Sequence, residues 1–166
     1  MALIAFVSFF LPWAVGSSYG IDYAFNGFGN GETRVSGYVV SYGHNLGFIG
    51  MIGFVFALLA FILMLVEAFM PMMSGAIQAY GPLMDRLTMI FAGLSFFLGI
   101  VYGGLLLGCV GSMHYKITYM GSVVDEGDVD LSGAFGSYGV GYGFIMFIIF
   151  IILAIAFYKK LIKPLG

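Results

Sequence analysis

The sequence predicts an all-α transmembrane four-helix bundle with a small extracytoplasmic β-sheet formed by two hairpin loops. Three observations lead there. The chain is 61% hydrophobic and 8% charged, against about 25% charged residues in an ordinary soluble domain, so its polar side chains are too few to cover a water-facing surface. Four apolar segments reach or approach the length of a helix that crosses about 30 Å of hydrocarbon. A helix–loop–helix unit also recurs, carrying the same motif at the same spacing in each copy.

The first segment, Met1–Val15, is apolar but short. No Lys or Arg precedes it, as the start of a cleaved signal peptide would require, so it reads as a retained helix. His44–Met70, Leu87–Ser112 and Val140–Ile162 all reach span length. Arg86, Lys159, Lys160 and Lys163 lie in the second loop and the tail, whereas Arg34 and Lys116 are the basic residues of the other two loops. Those two loops carry Asp22, Glu32, Asp125, Glu126, Asp128 and Asp130. The bias of basic residues toward the inner side then places both termini and the Met70–Arg86 loop in the cytoplasm, and the two longer loops outside.

The repeat is specific. Ser36, Gly37, Ser41, Tyr42, Gly43, Gly47 and Phe48 recur in register as Ser132, Gly133, Ser137, Tyr138, Gly139, Gly143 and Phe144. Residues 1–70 form the first helix–hairpin–helix unit, 71–86 a cytoplasmic connecting loop, and 87–166 the second unit with a basic tail. Gly16-Ser17 and Gly111-Ser112 close the preceding helix in each copy. Two units of one orientation imply a pseudo-two-fold axis along the membrane normal. The match sets Met1 opposite Phe96, so the first helix is expected to be short at its cytoplasmic end. Within the loops, Tyr19, Ile21, Tyr23 and Phe25 alternate, as do Met113, Tyr115, Ile117 and Tyr119. Turns at Asn26–Gly31 and Glu126-Gly127-Asp128 would complete two hairpins, paired into one sheet because a lone hairpin is marginally stable.

The repeated residues suggest local roles. Ser41 and Ser137 stand where a helix N-cap belongs. Tyr42 and Tyr138 then reach headgroup level, as does Trp13 for the first helix. Gly43/Gly47, Gly139/Gly143, Gly99/Gly103 and Gly104/Gly108 are small-residue pairs one turn apart, suited to close helix packing.

Residues that carry chemistry are sparse. Cys109 is the single cysteine, which excludes an intrachain disulfide, and it reads as a small packing residue. His44 and His114 fall at the outer ends of different spans and read as solvated interfacial side chains. Asp125, Glu126, Asp128 and Asp130 lack the spacing of a calcium loop and read as a hydrated hairpin tip. Met70, Met72 and Met73 flank Pro71 and suit flexible packing at the interface better than Cu(I) ligation. Glu67, about one turn from the cytoplasmic end of its helix, is the one ionisable group near hydrocarbon. There is no nucleophile–base set, phosphate loop or haem-ligand pair. A net charge of −2 without a basic patch excludes nucleic acid. No enzyme activity, cofactor or metal is expected.

Phe10-Leu11-Pro12-Trp13, followed by a polar loop with Ser36-Gly37-Tyr38, resembles small uncharacterised prokaryotic four-span proteins. The plan, with strand-forming outer loops, is similar to the claudin-type tetraspan architecture in topology alone. The paired loop cysteines and the Trp–Gly-Leu-Trp signature of that family are missing, so no junctional role is implied. The expected function is that of a non-catalytic structural or accessory membrane protein. Its expected partners are lipid and other membrane subunits or copies of itself. Two alternatives stand beside it: a pore or carrier built as a homo-oligomer, with the loop carboxylates as its mouth, and a subunit lending His44 or His114 to a shared redox or metal site.

Overall fold

The computed structural model describes residues 2–18, 21–72, 75–131 and 139–162. A short helix α1 (Ala2–Ser8) leads into β1 (Pro12–Ser18) and β2 (Ile21–Asn26). Then come β3 (Asn30–Val35), β4 (Tyr38–His44) and the long helix α2 (Gly47–Phe69). A 3-10 turn (Met70–Met72) and α3 (Gly75–Gln78) link to α4 (Gly81–Leu107). The chain ends in β5 (Ser112–Tyr119), β6 (Ser122–Asp130), β7 (Gly139–Val140) and α5 (Tyr142–Ile162).

This corrects the expected all-α four-helix bundle. Among the described residues, seven strands form two antiparallel sheets, in the orders β2-β1-β7 and β3-β4-β5-β6. Among the described residues, two helices are long and apolar enough to cross a membrane, α2 and α4, which overturns the tetraspan arrangement. Proline explains the difference at the N-terminus. Pro12 has no N–H to continue a helix and disfavours helical backbone at Leu11, so Trp13, Ala14 and Val15 enter a strand instead. At the other end, the described apolar part of α5 covers Tyr142–Leu153. α4 begins at Gly81, inside the segment read as a connecting loop, with a proline in its first turn.

The turns rest on positive-φ residues. Ser36 (φ 50°) and Gly37 (φ 86°) join β3 to β4, and Met120 (φ 48°) and Gly121 (φ 82°) join β5 to β6. Two successive positive φ values are what a two-residue hairpin loop needs to match strand twist. The turn expected at Glu126-Gly127-Asp128 is therefore absent; those residues lie inside β6, opposite Lys116, Tyr115 and His114.

Strand pairing exchanges the two halves of the chain. β4, which precedes α2, pairs with β5, which follows α4, setting Gly43 opposite His114 and His44 opposite Met113. β1, which follows α1, pairs with β7, which precedes α5, setting Val15 opposite Gly139 and Ala14 opposite Val140. Laying Gly43 and His44 on Gly139 and Val140 thus carries Val15 and Ala14 onto His114 and Met113. The residues equivalent to Gly111-Ser112 are then Pro12-Trp13 rather than Gly16-Ser17, which lie within β1. The helices pair likewise, α2 on α4 and α1 on α5.

Small residues set how closely the helices approach. The buried residues of α2 are Gly47, Gly50, Gly53, Ala57 and Ala60, a stripe of side chains no larger than a methyl. A Cβ on Gly53 would lie 3.4 Å from the Leu98 Cβ, and one on Gly50 would lie 3.0 Å from the Tyr102 ring. A neighbouring face of α4, about 100° round from Leu98 and Tyr102, receives α5, where Gly99 and Gly103 abut the rings of Phe147 and Phe144. Under the head, Trp13 packs against Phe9 and Phe147 at ring separations of 4.9 and 5.0 Å, and its indole N–H donates to the Ser8 carbonyl at 2.7 Å. Trp13 is thus a core residue, buried to 1% exposure, rather than a headgroup anchor.

Neighbouring glycines of α4 should therefore respond differently to a methyl group. Gly103→Ala drives a Cβ into Phe144 and should cost about 1–3 kcal/mol. Gly104→Ala meets open space, and its better helix propensity should leave stability equal or raise it by up to about 1 kcal/mol. Thermal unfolding of both variants in detergent checks this, and equal melting points would contradict the packing described.

Candidate functional site

The strands form a head at one end of the long helices. β4 is its centre, with side chains alternating between the inter-sheet interior (Val40, Tyr42, His44) and the outer face. Tyr42 joins the sheets. Its hydroxyl accepts from the Ala24 N–H at 2.7 Å and donates to the Ala24 carbonyl at 3.2 Å, binding β4 to β2. Burial holds this phenol above the usual tyrosine range, so it remains a donor. Tyr23 and Phe25 stand edge-on to its ring at 5.1 and 4.9 Å. Gly31 lets β3 pass, because a side chain there would strike the Tyr42 ring and the Ala24 carbonyl. Beside this tie opens a cleft of about 430 Å³, lined by Asp22, Tyr23, Glu32, Thr33 and Tyr42 among others.

A second polar group sits where the head meets the helices. The His44 Nε2 lies 2.8 Å from the Val110 carbonyl and so carries the proton, leaving Nδ1 as an acceptor. Among the described residues the buried Nδ1 has no donor, and the buried Tyr102 hydroxyl has no acceptor, with the two rings 5.7 Å apart. Asn45 braces the same junction: its Oδ1 accepts from the Ser112 N–H at 3.1 Å, and its own N–H donates to the Ser112 carbonyl at 2.9 Å. α4 ends here in a left-handed turn at Cys109 (φ 52°). The Cys109 N–H donates to Leu106 O at 3.1 Å and the Val110 N–H to Leu105 O at 3.0 Å, a Schellman closure with cysteine where glycine is usual. Burial pushes the His44 imidazole below its ordinary 6.5, outweighing the opposing hydrogen bond to Val110.

The other residues singled out in the sequence scatter. Ser41 lies in β4 opposite Lys116, and Leu46 holds the N-cap position of α2 without a side-chain cap bond. The ladder with β5 keeps the chain extended through His44, so neither Ser41 nor Tyr42 reaches a helix start or a headgroup. Ser36 and Gly37 form a hairpin turn. Ser132, Gly133, Ser137 and Tyr138 lie outside the described residues. Gly43 and Gly139 are strand residues, not helix-packing ones. Gly47 and Gly143 begin α2 and α5 against the carbonyls of Phe28 and Leu11. Gly104 faces open space, and Gly108 is the C-cap of α4.

His44 is buried rather than solvated. His114, next to it across the ladder, points to the opposite face, where Nδ1 meets the Asp128 carboxylate at 3.0 Å. The two histidines therefore cannot share one ligand. No group of three or more His, Cys, Asp or Glu side chains converges among the described residues. Glu67 accepts from the Thr88 hydroxyl at 2.8 Å beside a cleft of about 550 Å³ that includes Met70 and Asp85. Met72 is exposed, and Met73 lies outside the described residues.

Sequence reasoning missed the distal tip of the head. Tyr38 and Tyr119, with rings 4.8 Å apart, lie at the strand ends farthest from α2 and α4, beside Met120, Val123 and Val124. All five are exposed, Met120 to 85%. A Met-Gly pair between two β-prone runs was the available signal.

Removing the inter-sheet tie should be costly. Tyr42→Phe leaves the Ala24 N–H without its acceptor, and a loss of about 1–3 kcal/mol in unfolding free energy is expected; an unchanged unfolding curve would show that the bridge supports nothing. His44 should make the fold acid-sensitive. Its folded pKa is depressed, so the unfolded chain binds a proton that the folded chain refuses, and stability declines as pH falls through about 6.5. The decline in melting temperature from neutral pH to about pH 5 should be shallower in His44→Gln; equal slopes would remove His44 as its cause. No protein-family model matches the chain, no curated protein is similar to it in sequence, and no solved structure matches it.

Proposed function

We propose that the chain is a non-catalytic accessory membrane protein that presents its two-sheet head to other membrane subunits. The observation that carries this reading is the distal tip. Lipid accounts for exposed apolar side chains along α2 and α4, such as Met51, Val55, Ile90 and Phe97. It does not account for Tyr38, Tyr119, Met120, Val123 and Val124, which stand at the far end of seven- and eight-residue strands, beyond about 20 Å of sheet. Exposed apolar groups clustered on a water-side surface mark a contact with another protein. The distribution of basic residues supports an extracytoplasmic head with the Met70–Arg86 link in the cytoplasm.

A photo-crosslinking side chain in place of Met120 tests the reading in native membranes. The expected outcome is a discrete protein adduct from position 120 and none from the same probe in place of Phe97. Native mass spectrometry from mild detergent should then show the chain with that partner. A strictly monomeric protein with no adduct at position 120 would end the proposal.

A further inference from the structure

Among the described residues β6 closes the four-stranded sheet, with β5 as its one neighbour in the strand order. It is nine residues long, and seven of the nine are exposed. Every second residue of such an edge turns its N–H and C=O away from the sheet. Natural edges are usually short or protected by proline, charged side chains or a bulge. β6 has a bulge near Val124, where the register with β5 shifts, but beyond it Asp125–Asp130 keeps an unbroken register, and acidic side chains rather than proline or lysine protect it.

Charge selects what can lie there. Asp125, Glu126 and Asp128 follow one another along the edge, with one glycine among them. Asp125 accepts from the Tyr115 hydroxyl at 3.3 Å and Asp128 meets His114 at 3.0 Å, while Glu126 faces Lys116 across the ladder. Each carboxylate keeps lone pairs for a further donor. A second copy of the chain pairing β6 with β6 would set these carboxylates against one another, and like charges directly opposite are destabilising. The edge is thus closed to its own kind and open to a strand of opposite charge. From this geometry we infer that β6 receives an extended, Lys- or Arg-bearing segment of a partner protein as an added fifth strand, its apolar residues running toward Val123 and Val124. The inference rests on the reading of the head as a contact surface and supplies the chemistry of the partner.

The test uses the full chain in detergent and a fluorescent peptide of alternating Lys and Val, followed by anisotropy. Binding should weaken as salt rises. It should weaken about tenfold when alternate amides of the peptide are N-methylated, which keeps the charge and removes the strand hydrogen bonds. The combined Asp125→Asn, Glu126→Gln and Asp128→Asn variant should lose about tenfold as well. A circular-dichroism spectrum matching the parent keeps that result interpretable. Absence of binding, equal binding of the N-methylated peptide, or equal binding of a Glu-for-Lys peptide would each overturn strand addition. If the peptide fails while the adduct at position 120 persists, the contact head stands and the β6 receptor falls; if both fail, the head reading falls too.

Discussion

The ladder between β4 and β5 governs the rest of the molecule. Both long helices emerge from it, α2 shortly after His44 and α4 shortly before Met113, and those two residues face each other across one rung. Paired strands hold their Cα atoms about 5 Å apart, whereas helix axes ordinarily pack at about 8–10 Å. Two helices leaving adjacent strands at one rung are therefore pressed to the near end of that range where they approach the ladder. Only a face of glycine and alanine permits it, which is why Gly47, Gly50 and Gly53 line α2 nearest the head and Ala57 and Ala60 follow farther on.

The same closeness solves a hydrogen-bond problem. Where a strand turns into a helix, the ladder's pairing ends, and each backbone N–H left buried and unpaired is costly. In this head the residues just before α2 and α5 donate to carbonyls of other segments. Asn45 donates to Ser112 at the start of α2, and Gly141 donates to Trp13 at 2.8 Å at the start of α5, two junctions related by the exchange of halves. The Asn26–Asn30 loop is laced in as well: Gly27 donates to Phe9 at 2.8 Å, His44 donates to Gly29 at 2.7 Å, and the Asn26 carboxamide accepts from Phe28 and Asn30. A side chain on Gly27 or Gly141 would enter the neighbouring backbone or ring, so the glycines mark where chains touch.

Much of the helical part was legible because length and apolarity are local properties. α2 fell within one residue of the expected end at Met70, and the start of α5 within two of Val140. The alternation of Ile21, Tyr23 and Phe25 located β2, but Asn26–Gly31 carries the chain from one sheet to the other instead of closing the expected hairpin, because β2 pairs with β1 and β3 with β4. Strand pairing was not legible, because it joins residues far apart in the chain. Tyr38-Val39-Val40-Ser41-Tyr42 is β-branched and aromatic, yet Ser-Tyr-Gly before an apolar run also resembles a helix start. Partnership with β5 decided between them, and that partnership is invisible locally. The Met120-Gly121 turn was likewise overshadowed by a more polar candidate. The buried contact of His44 with Val110 depends on the left-handed turn at Cys109, which nothing around that cysteine announces.

Stability is unevenly spread over the head, and the unevenness bears on how it works. β4 is central, tied to β2 by Tyr42 and to α4 through His44 and Tyr102. Among the described residues β6 has one neighbouring strand and no buried side chain, so its hydrogen bonds belong to the class that opens first. An edge of that kind is inexpensive to rearrange, and whatever binds it contributes its own free energy to holding the edge shut. The rigid part of the head faces the helices and the compliant part faces outward. A partner strand laid on β6 would extend order from the outside inward, through β5 and the ladder from which both long helices hang.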